Sequence, residues 1–238
     1  MNGYELAVKI NDHLKSTFPT IGLTIGDSYW DNALWHARIN GCIAEAGVKS
    51  GFRLELGRKL MPRKNANRID FSDFLKMYCA LYDKHVGTWE RFGERSSTEI
   101  DLAFLDVHEN SPVALCEYEN QSGNVKDNVV KFKALHSFDS KRFRPELCLI
   151  GFWTSARDYV GMTLRELTDL ITKMAASEEA TYHGEKVYQF CPLTCYWLLF
   201  ALFKDEPTSA VKCLSTILDP DANKLKEEEF DIGLINQK

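Results

Sequence analysis

Apolar residues recur every three to four positions in the first part of the chain, which is the spacing of an amphipathic helix. The stretch YELAVKINDHLK indicates one such helix. A second helix begins near Asp27 or Ser28, either of which can cap it, and ends at Gly47. The first part of the chain is therefore predicted to be helical.

Three later stretches alternate apolar and polar residues, which is the pattern of a half-buried strand. They are FRLEL, TEIDLAFLD and VALCEYEN, and the turn signal HENSP joins the last two into an antiparallel hairpin. The helical pattern VKDNVVKFKALHSF follows, and then the apolar run LCLIGFW predicts a buried strand. The basic loop after the first strand and the helical pattern in DFSDFLKMYCALYDK predict a helical insertion over residues 57–96.

The C-terminal third is predicted to be helical. Thr163 and Glu166 have the spacing of a capping box at the start of TLRELTDLITKMAA. The apolar window VYQFCPLTCYWLLFALF is interpreted as a buried helix, and KLKEEEFDIG as an acidic tail. We predict an α/β fold with a mixed central sheet flanked by helices, forming one elaborated domain over 1–238. Its core spans 28–154, and its helical C-terminal part spans 155–238.

Acids interrupt the predicted hairpin and carry the candidate chemistry. Side chains alternate along a strand, so Glu117 and Glu119 share one face of their strand, and Glu99 and Asp101 share a face of theirs. If these faces coincide, the carboxylates repel one another and require a positive charge nearby. Mg²⁺, which prefers oxygen ligands, is the natural candidate. The alternative is a solvated acidic face on an α/β interaction protein.

Charge and cysteine content indicate which partners and which cellular compartment to expect. The 238 residues carry a net charge of -5, yet Lys49 to Arg68 is strongly basic, and a second basic segment runs from Lys126 to Arg144. Both segments suit contact with phosphates. Seven scattered cysteines and the lack of an apolar leader predict a cytoplasmic protein with reduced thiols, and no apolar run is long enough to span a membrane.

The order of helix, strand, carboxylate hairpin, helix and buried strand over about Ser28 to Thr154 resembles the PD-(D/E)xK nuclease superfamily, the restriction-endonuclease-like fold. This resemblance implies Mg²⁺- or Mn²⁺-dependent hydrolysis of phosphodiester bonds in nucleic acid, with DNA as the expected substrate. The metal-binding acids of the family correspond to Asp101 and Glu117. The triplet ends in Glu119, where the family motif has Lys.

The resemblance leaves several roles open. Glu119 is expected to act as a metal ligand or as a base that orients water, and either Lys126 or Lys131 of the following helix is expected to replace the motif lysine. Asp31 or Glu45 of the leading helix is a further candidate ligand. Because enzymes that cut both strands are often dimers, a homodimer is one expected assembly. The alternative function is a non-catalytic module on the same fold that binds nucleic acid or a protein partner.

Overall fold

A computed structural model of the protein describes most of the chain. The described residues are 1–17, 29–59, 71–87, 99–109, 111–120, 125–138, 140, 143–154, 157–182, 184–205 and 210–234. The helices in these ranges are α1 (Gly3–Thr17), α2 (Tyr29–Lys49), α3 (Phe71–His85), α4 (Val125–Phe138) and α5 (Arg157–Met174). The strands are β1 (Arg53–Lys59), β2 (Glu99–Leu105), β3 (Pro112–Glu119), β4 (Leu147–Thr154), β5 (Glu178–Tyr182), β6 (Glu185–Phe190), β7 (Tyr196–Asp205), β8 (Ala210–Leu218) and β9 (Lys224–Leu234).

Seven strands form a mixed central sheet in the order β1-β2-β3-β4-β7-β8-β9, and β5 and β6 form a separate two-stranded sheet. The pairs β1–β2 and β2–β3 are antiparallel, and the second of them is the predicted hairpin. Strands β3, β4 and β7 are parallel to one another. The strands β7, β8 and β9 continue as an antiparallel meander. The predicted α/β class with a mixed central sheet is therefore confirmed.

Helices cover both faces of this sheet, and each face has its own apolar core. Helices α1 and α2 pack on one face against residues such as Leu102, Phe104 and Tyr118, which we call the α1–α2 core. Helices α3, α4 and α5 pack on the other face with Leu115, Ile150 and similar side chains, which we call the α3–α5 core. Because side chains alternate along a strand, one strand such as β3 contributes to both cores.

Two local features shape the helices on this side of the sheet: a cap at the start of α1 and a glycine in α2. Asn2 and Glu5 form a reciprocal cap at the start of α1, in which each side chain accepts a hydrogen bond from the backbone N–H of the other. In α2, a Cβ added to Gly47 would lie 2.6 Å from the ring of Phe104 on β2. Glycine therefore allows α2 to approach the strand that carries Asp101.

The predicted helical C-terminal part, 155–238, is wrong. Among its described residues, only α5 is helical, and five strands, β5 to β9, account for most of the others. The apolar window interpreted as a buried helix covers the end of β6 and most of β7, and the acidic tail forms strand β9 at the edge of the sheet. A central strand is buried on both faces, so it shows a continuous apolar run without alternation, and periodicity alone does not separate it from a buried helix.

The predicted capping box is also wrong. Helix α5 begins at Arg157, so Thr163 lies in its second turn and is buried. Arg157 and Asp158, which precede Thr163, form the first turn of α5 and are exposed, so they do not belong to a loop before the helix. No helix within the described ranges is both long and apolar enough to cross a membrane.

Candidate functional site

The candidate site lies where β2 and β3 stop pairing. The ladder between these strands runs from Leu105 to Leu102, which is opposite Cys116. Just beyond it, the backbone N–H of Tyr118 donates to Oδ2 of Asp101 at 2.9 Å. A side-chain carboxylate thus takes the place of a backbone acceptor at this end of the hairpin.

His36 of α2 contacts the same oxygen of Asp101. Its Nε2 lies 3.1 Å from Oδ2, and its ring centroid lies 5.7 Å from that of Tyr118. Nδ2 of Asn40, one turn further along α2, lies 3.3 Å from Nδ1 of His36. The hydrogen bond to Asp101 raises the pKa of His36, although partial burial opposes this shift. Burial raises the pKa of Asp101, but the hydrogen bonds from His36 and Tyr118 outweigh it and leave that pKa below its ordinary value.

Glu117 and Lys131 form a buried ion pair on the opposite side of β3. Nζ of Lys131 on α4 lies 2.7 Å from Oε1 of Glu117, and the two side chains are 5% and 4% exposed. Burial raises the pKa of Glu117 to about 8, and the nearby charges of Asp101 and Glu119 add to this shift. The ammonium of Lys131 opposes it. The protonation of Glu117 therefore depends on the balance between its burial and the charge of Lys131.

Glu119 faces α4 as well, two residues beyond Glu117. Its Oε1 accepts a hydrogen bond from Nδ2 of Asn128 at 3.0 Å. Burial raises the pKa of Glu119 despite this bond and the nearby Lys131. Asp127, in the first turn of α4, has its pKa raised to about 6 by burial, although a hydrogen bond to Tyr82 lowers it. The start of α4 thus lies against a group of partly desolvated carboxyls.

The structure brings four of the predicted site residues close enough to act on one another electrostatically. Asp101 raises the pKa values of Glu117 and Glu119, and Lys131 lowers the pKa values of all three acids. These three acids are buried or half-buried and have specific partners. For them, the alternative of a solvated acidic face is therefore wrong.

The remaining predicted residues lie elsewhere or are not described. Nζ of Lys126 is 2.7 Å from Glu166 of α5. Glu45 is half-exposed and pairs with Lys49 and His13 on the surface. Asp31 belongs to α2, but its side chain lies outside the described part of the structure, as does the side chain of Glu99.

Two lysines of the second basic segment are not on the surface. In the first segment, residues 60–68 and the side chains of residues 56–59 lie outside the described part of the structure. In the second segment, Lys131 is paired with Glu117, and Lys133 is fully buried and donates to the backbone oxygens of Met174 and Ala176 after α5. These two lysines act in the interior and are not part of a phosphate-contacting surface.

His36 and Asn128 are site residues that the sequence did not predict. The resemblance pointed to acids of the leading helix near Asp101, whereas the residue of that helix that contacts Asp101 is His36. The spacing of Asn128 and Lys131, three residues apart on a helix, places them on the same face and was the available signal for a polar face of α4. Nothing in the sequence indicated that His36 would reach Asp101, which is 65 residues away.

The donors of the site suit a hard cation in their chemistry. Asp101, Glu117 and Glu119 supply carboxylate oxygens, and each of the three has a hydrogen-bond partner that fixes its position. Among the residues that the structure describes, no group of three or more His, Cys, Asp or Glu side chains is arranged to hold a metal ion. Mg²⁺ is commonly held by one or two carboxylates, with water and substrate phosphate as its other ligands. The donor set is compatible with that smaller requirement.

Comparison with known proteins adds no family assignment. No protein-family model, curated protein or solved structure matches the chain.

Proposed function

We propose that the protein is a Mg²⁺- or Mn²⁺-dependent nuclease of restriction-endonuclease-like fold, with Asp101 and Glu117 as its metal-binding acids. One observation carries the proposal: Nζ of Lys131 lies 2.7 Å from Glu117. The motif triplet ends in Glu119 and lacks a lysine, and α4 supplies one beside the acid. Between the two lysines that were considered, this contact favours Lys131 over Lys126.

The topology supports the same proposal. Helix α2, strands β1 to β3, helix α4 and strand β4 follow one another in the expected order, with β2 and β3 antiparallel and β3 and β4 parallel. Glu117 and Glu119 are near the carboxyl end of β3, and open α/β sheets commonly bind ligands outside the carboxyl ends of their strands. The proposed site thus lies at an edge of the sheet suited to ligands.

The residues have distinct roles in the proposed hydrolysis. The bound ion would polarise the phosphodiester and lower the pKa of an attacking water. Glu119, whose raised pKa makes it a better base, would orient that water. Nδ2 of Asn128 donates to Oε1 of Glu119 and so fixes its carboxylate. Lys131, whose Nζ lies beside Glu117, would offset the negative charge that develops on the phosphate oxygens.

We further propose a substrate, an assembly and a cellular compartment for the protein. The substrate is nucleic acid, with DNA preferred from the resemblance, and a homodimer is the assembly that would cut both strands. All seven cysteines are free and six of them are buried, which suits the reducing conditions of the cytoplasm.

A cleavage assay tests the proposal. The protein is incubated with supercoiled plasmid, single-stranded DNA and RNA in Mg²⁺, Mn²⁺ or EDTA, beside the variants Asp101→Asn and Glu117→Gln. Wild-type protein should cut in a metal-dependent manner, and each variant should lose activity by on the order of 10²-fold or more. Lys126→Met, which alters a surface pair with Glu166, is the matched control and should retain activity. Cleavage that persists in both acid variants contradicts the assignment.

A second candidate is a non-catalytic module of the same fold that binds nucleic acid or a protein partner. The closed Glu117–Lys131 pair favours it, because a cation must displace Lys131 before it can use Oε1 of Glu117. In that case, no condition of the assay would yield cleavage, while binding to nucleic acid or to a protein would be retained in Glu117→Gln.

A further inference from the structure

The contacts of Asp101 separate its two carboxylate oxygens. Every hydrogen bond described for this side chain falls on Oδ2, which receives the Tyr118 N–H at 2.9 Å and lies 3.1 Å from Nε2 of His36. Two donors occupy the lone pairs of that oxygen. Oδ1 is therefore the oxygen of Asp101 that remains for a ligand.

The surroundings of His36 favour a proton on Nε2. The Asp101 carboxylate, whose pKa is lowered, can only accept hydrogen bonds, so Nε2 of His36 at 3.1 Å from Oδ2 carries the hydrogen. Nδ2 of Asn40 lies 3.3 Å from Nδ1 and 3.4 Å from Nε2, so it contacts the ring without selecting one nitrogen. The His36 ring lies beside the ring of Tyr118, and Tyr118 stacks on Phe200 at a centroid distance of 6.0 Å. The imidazole is thus held from several sides.

We infer that His36 is a positioning residue for the proposed metal site, which fixes the Asp101 carboxylate through Oδ2 and directs Oδ1 to the cation. This inference rests on the proposed function. His36 acts through Asp101 and contacts neither metal nor substrate in this account. Hydrogen-bonded partners of metal ligands typically change metal affinity 10- to 100-fold when removed.

The first test measures Mn²⁺ binding by calorimetry, without any cleavage reaction. His36→Phe keeps an aromatic ring beside Tyr118 but has no donor, and should weaken Mn²⁺ binding by roughly 10- to 100-fold. His36→Gln keeps an N–H donor and should recover most of that loss. His13→Phe, a histidine on α1 that pairs with the surface residue Glu45, is the control and should bind as the wild type does.

The second test needs no metal and keeps the inference testable if His36→Phe fails to fold. In metal-free protein, ¹⁵N NMR of the imidazole should find the proton of His36 on Nε2, and Asp101→Asn should shift this signal while that of His13 stays unchanged. A proton found on Nδ1 alone would overturn the inference.

The outcomes separate the inference from the function on which it rests. Equal Mn²⁺ affinity in wild type and His36→Phe, with binding lost in Asp101→Asn, overturns the positioning role and leaves the proposed metal site intact. A wild type that binds no Mn²⁺ overturns the proposed function, and the positioning role with it. Equal weakening in His36→Gln and His36→Phe also counts against the inference, since the glutamine donor should rescue binding.

Discussion

The Glu117–Lys131 ion pair lies between β3 and α4 with almost no access to solvent. Moving two charges out of water is costly, and their attraction repays that cost only with good geometry. An apolar pair of similar size often serves stability as well or better. Retention of two charges here is thus better explained by the proposed chemistry than by stability.

Breaking this pair from one side should destabilise the fold. Lys131→Met leaves Glu117 buried without its counter-charge, and we expect the free energy of unfolding in urea at pH 9, where the Glu117 carboxyl is ionised, to fall by about 3–5 kcal/mol. The double variant Glu117→Leu with Lys131→Met removes both charges and should recover most of the loss.

Lys126→Met is the matched control for this experiment. Its partner Glu166 and Lys126 itself are 45% and 35% exposed, so the change should cost less than about 1 kcal/mol. A cost for Lys131→Met as small as that of the control would contradict the buried pair.

The raised pKa of Glu117 predicts a pH dependence of stability. The folded state holds this proton up to about pH 8, whereas an unfolded glutamate releases it near its ordinary pKa of 4.5. The stabilisation is complete below the unfolded value and is lost as pH rises toward 8, by on the order of a few kcal/mol. Urea unfolding at pH 5 and pH 8 should therefore show wild type losing more stability than Glu117→Gln. The same loss in both proteins would place the pH dependence elsewhere.

At the scale of elements, the connection from β3 through α4 to β4 assembles the acidic side of the site. Asn128 and Lys131 lie three residues apart on α4, so both face β3 and contact Glu119 and Glu117, respectively. Each acid thus meets one polar residue of the helix that follows its own strand. This local arrangement follows from strand and helix periodicity.

Close packing of the central strands gives a test of this framework. A Cβ added to Gly151 on β4 would lie 2.1 Å from the ring of Phe200 on the neighbouring strand β7. Gly151→Ala should therefore lower the free energy of unfolding by about 1–3 kcal/mol. Gly161→Ala on α5 meets nothing within 4 Å and should stabilise the protein by up to about 1 kcal/mol, the helix preference of alanine. Equal stability of the two variants would contradict the packing of β4 against β7.

The sequence predicted the elements that carry the acids, and it mispredicted those after α5. The hairpin was predictable because β2 and β3 show alternation and a turn signal lies between them. Strand β7 was not, because its apolar run YWLLFALF is buried on both faces of the sheet and has no period of two. Strand β9 is acidic, and two of its acids, Glu228 and Glu229, pair with Lys15 and Arg157 on other elements, which the local pattern did not indicate.

At the scale of the whole molecule, the site combines residues from both faces of the sheet. His36 reaches Asp101 from α2 on one face, and Lys131 reaches Glu117 from α4 on the other. Strand alternation predicted that Glu117 and Glu119 share a face. The resemblance predicted that either Lys126 or Lys131 replaces the motif lysine. The contribution of His36 depends on how α2 lies across the sheet, which no local pattern in the sequence encodes.

Anomalous diffraction from crystals grown with Mn²⁺ tests the central claim most directly, because it locates the ion without relying on a chosen substrate. We expect a single strong peak at the carboxyl end of β3, close to oxygens of both Asp101 and Glu117, at the roughly 2.1 Å typical of small hard cations. A Glu117→Gln crystal should lose the peak. Mn²⁺ bound only at surface acids such as those of β9, or no peak at saturating Mn²⁺, would contradict the account.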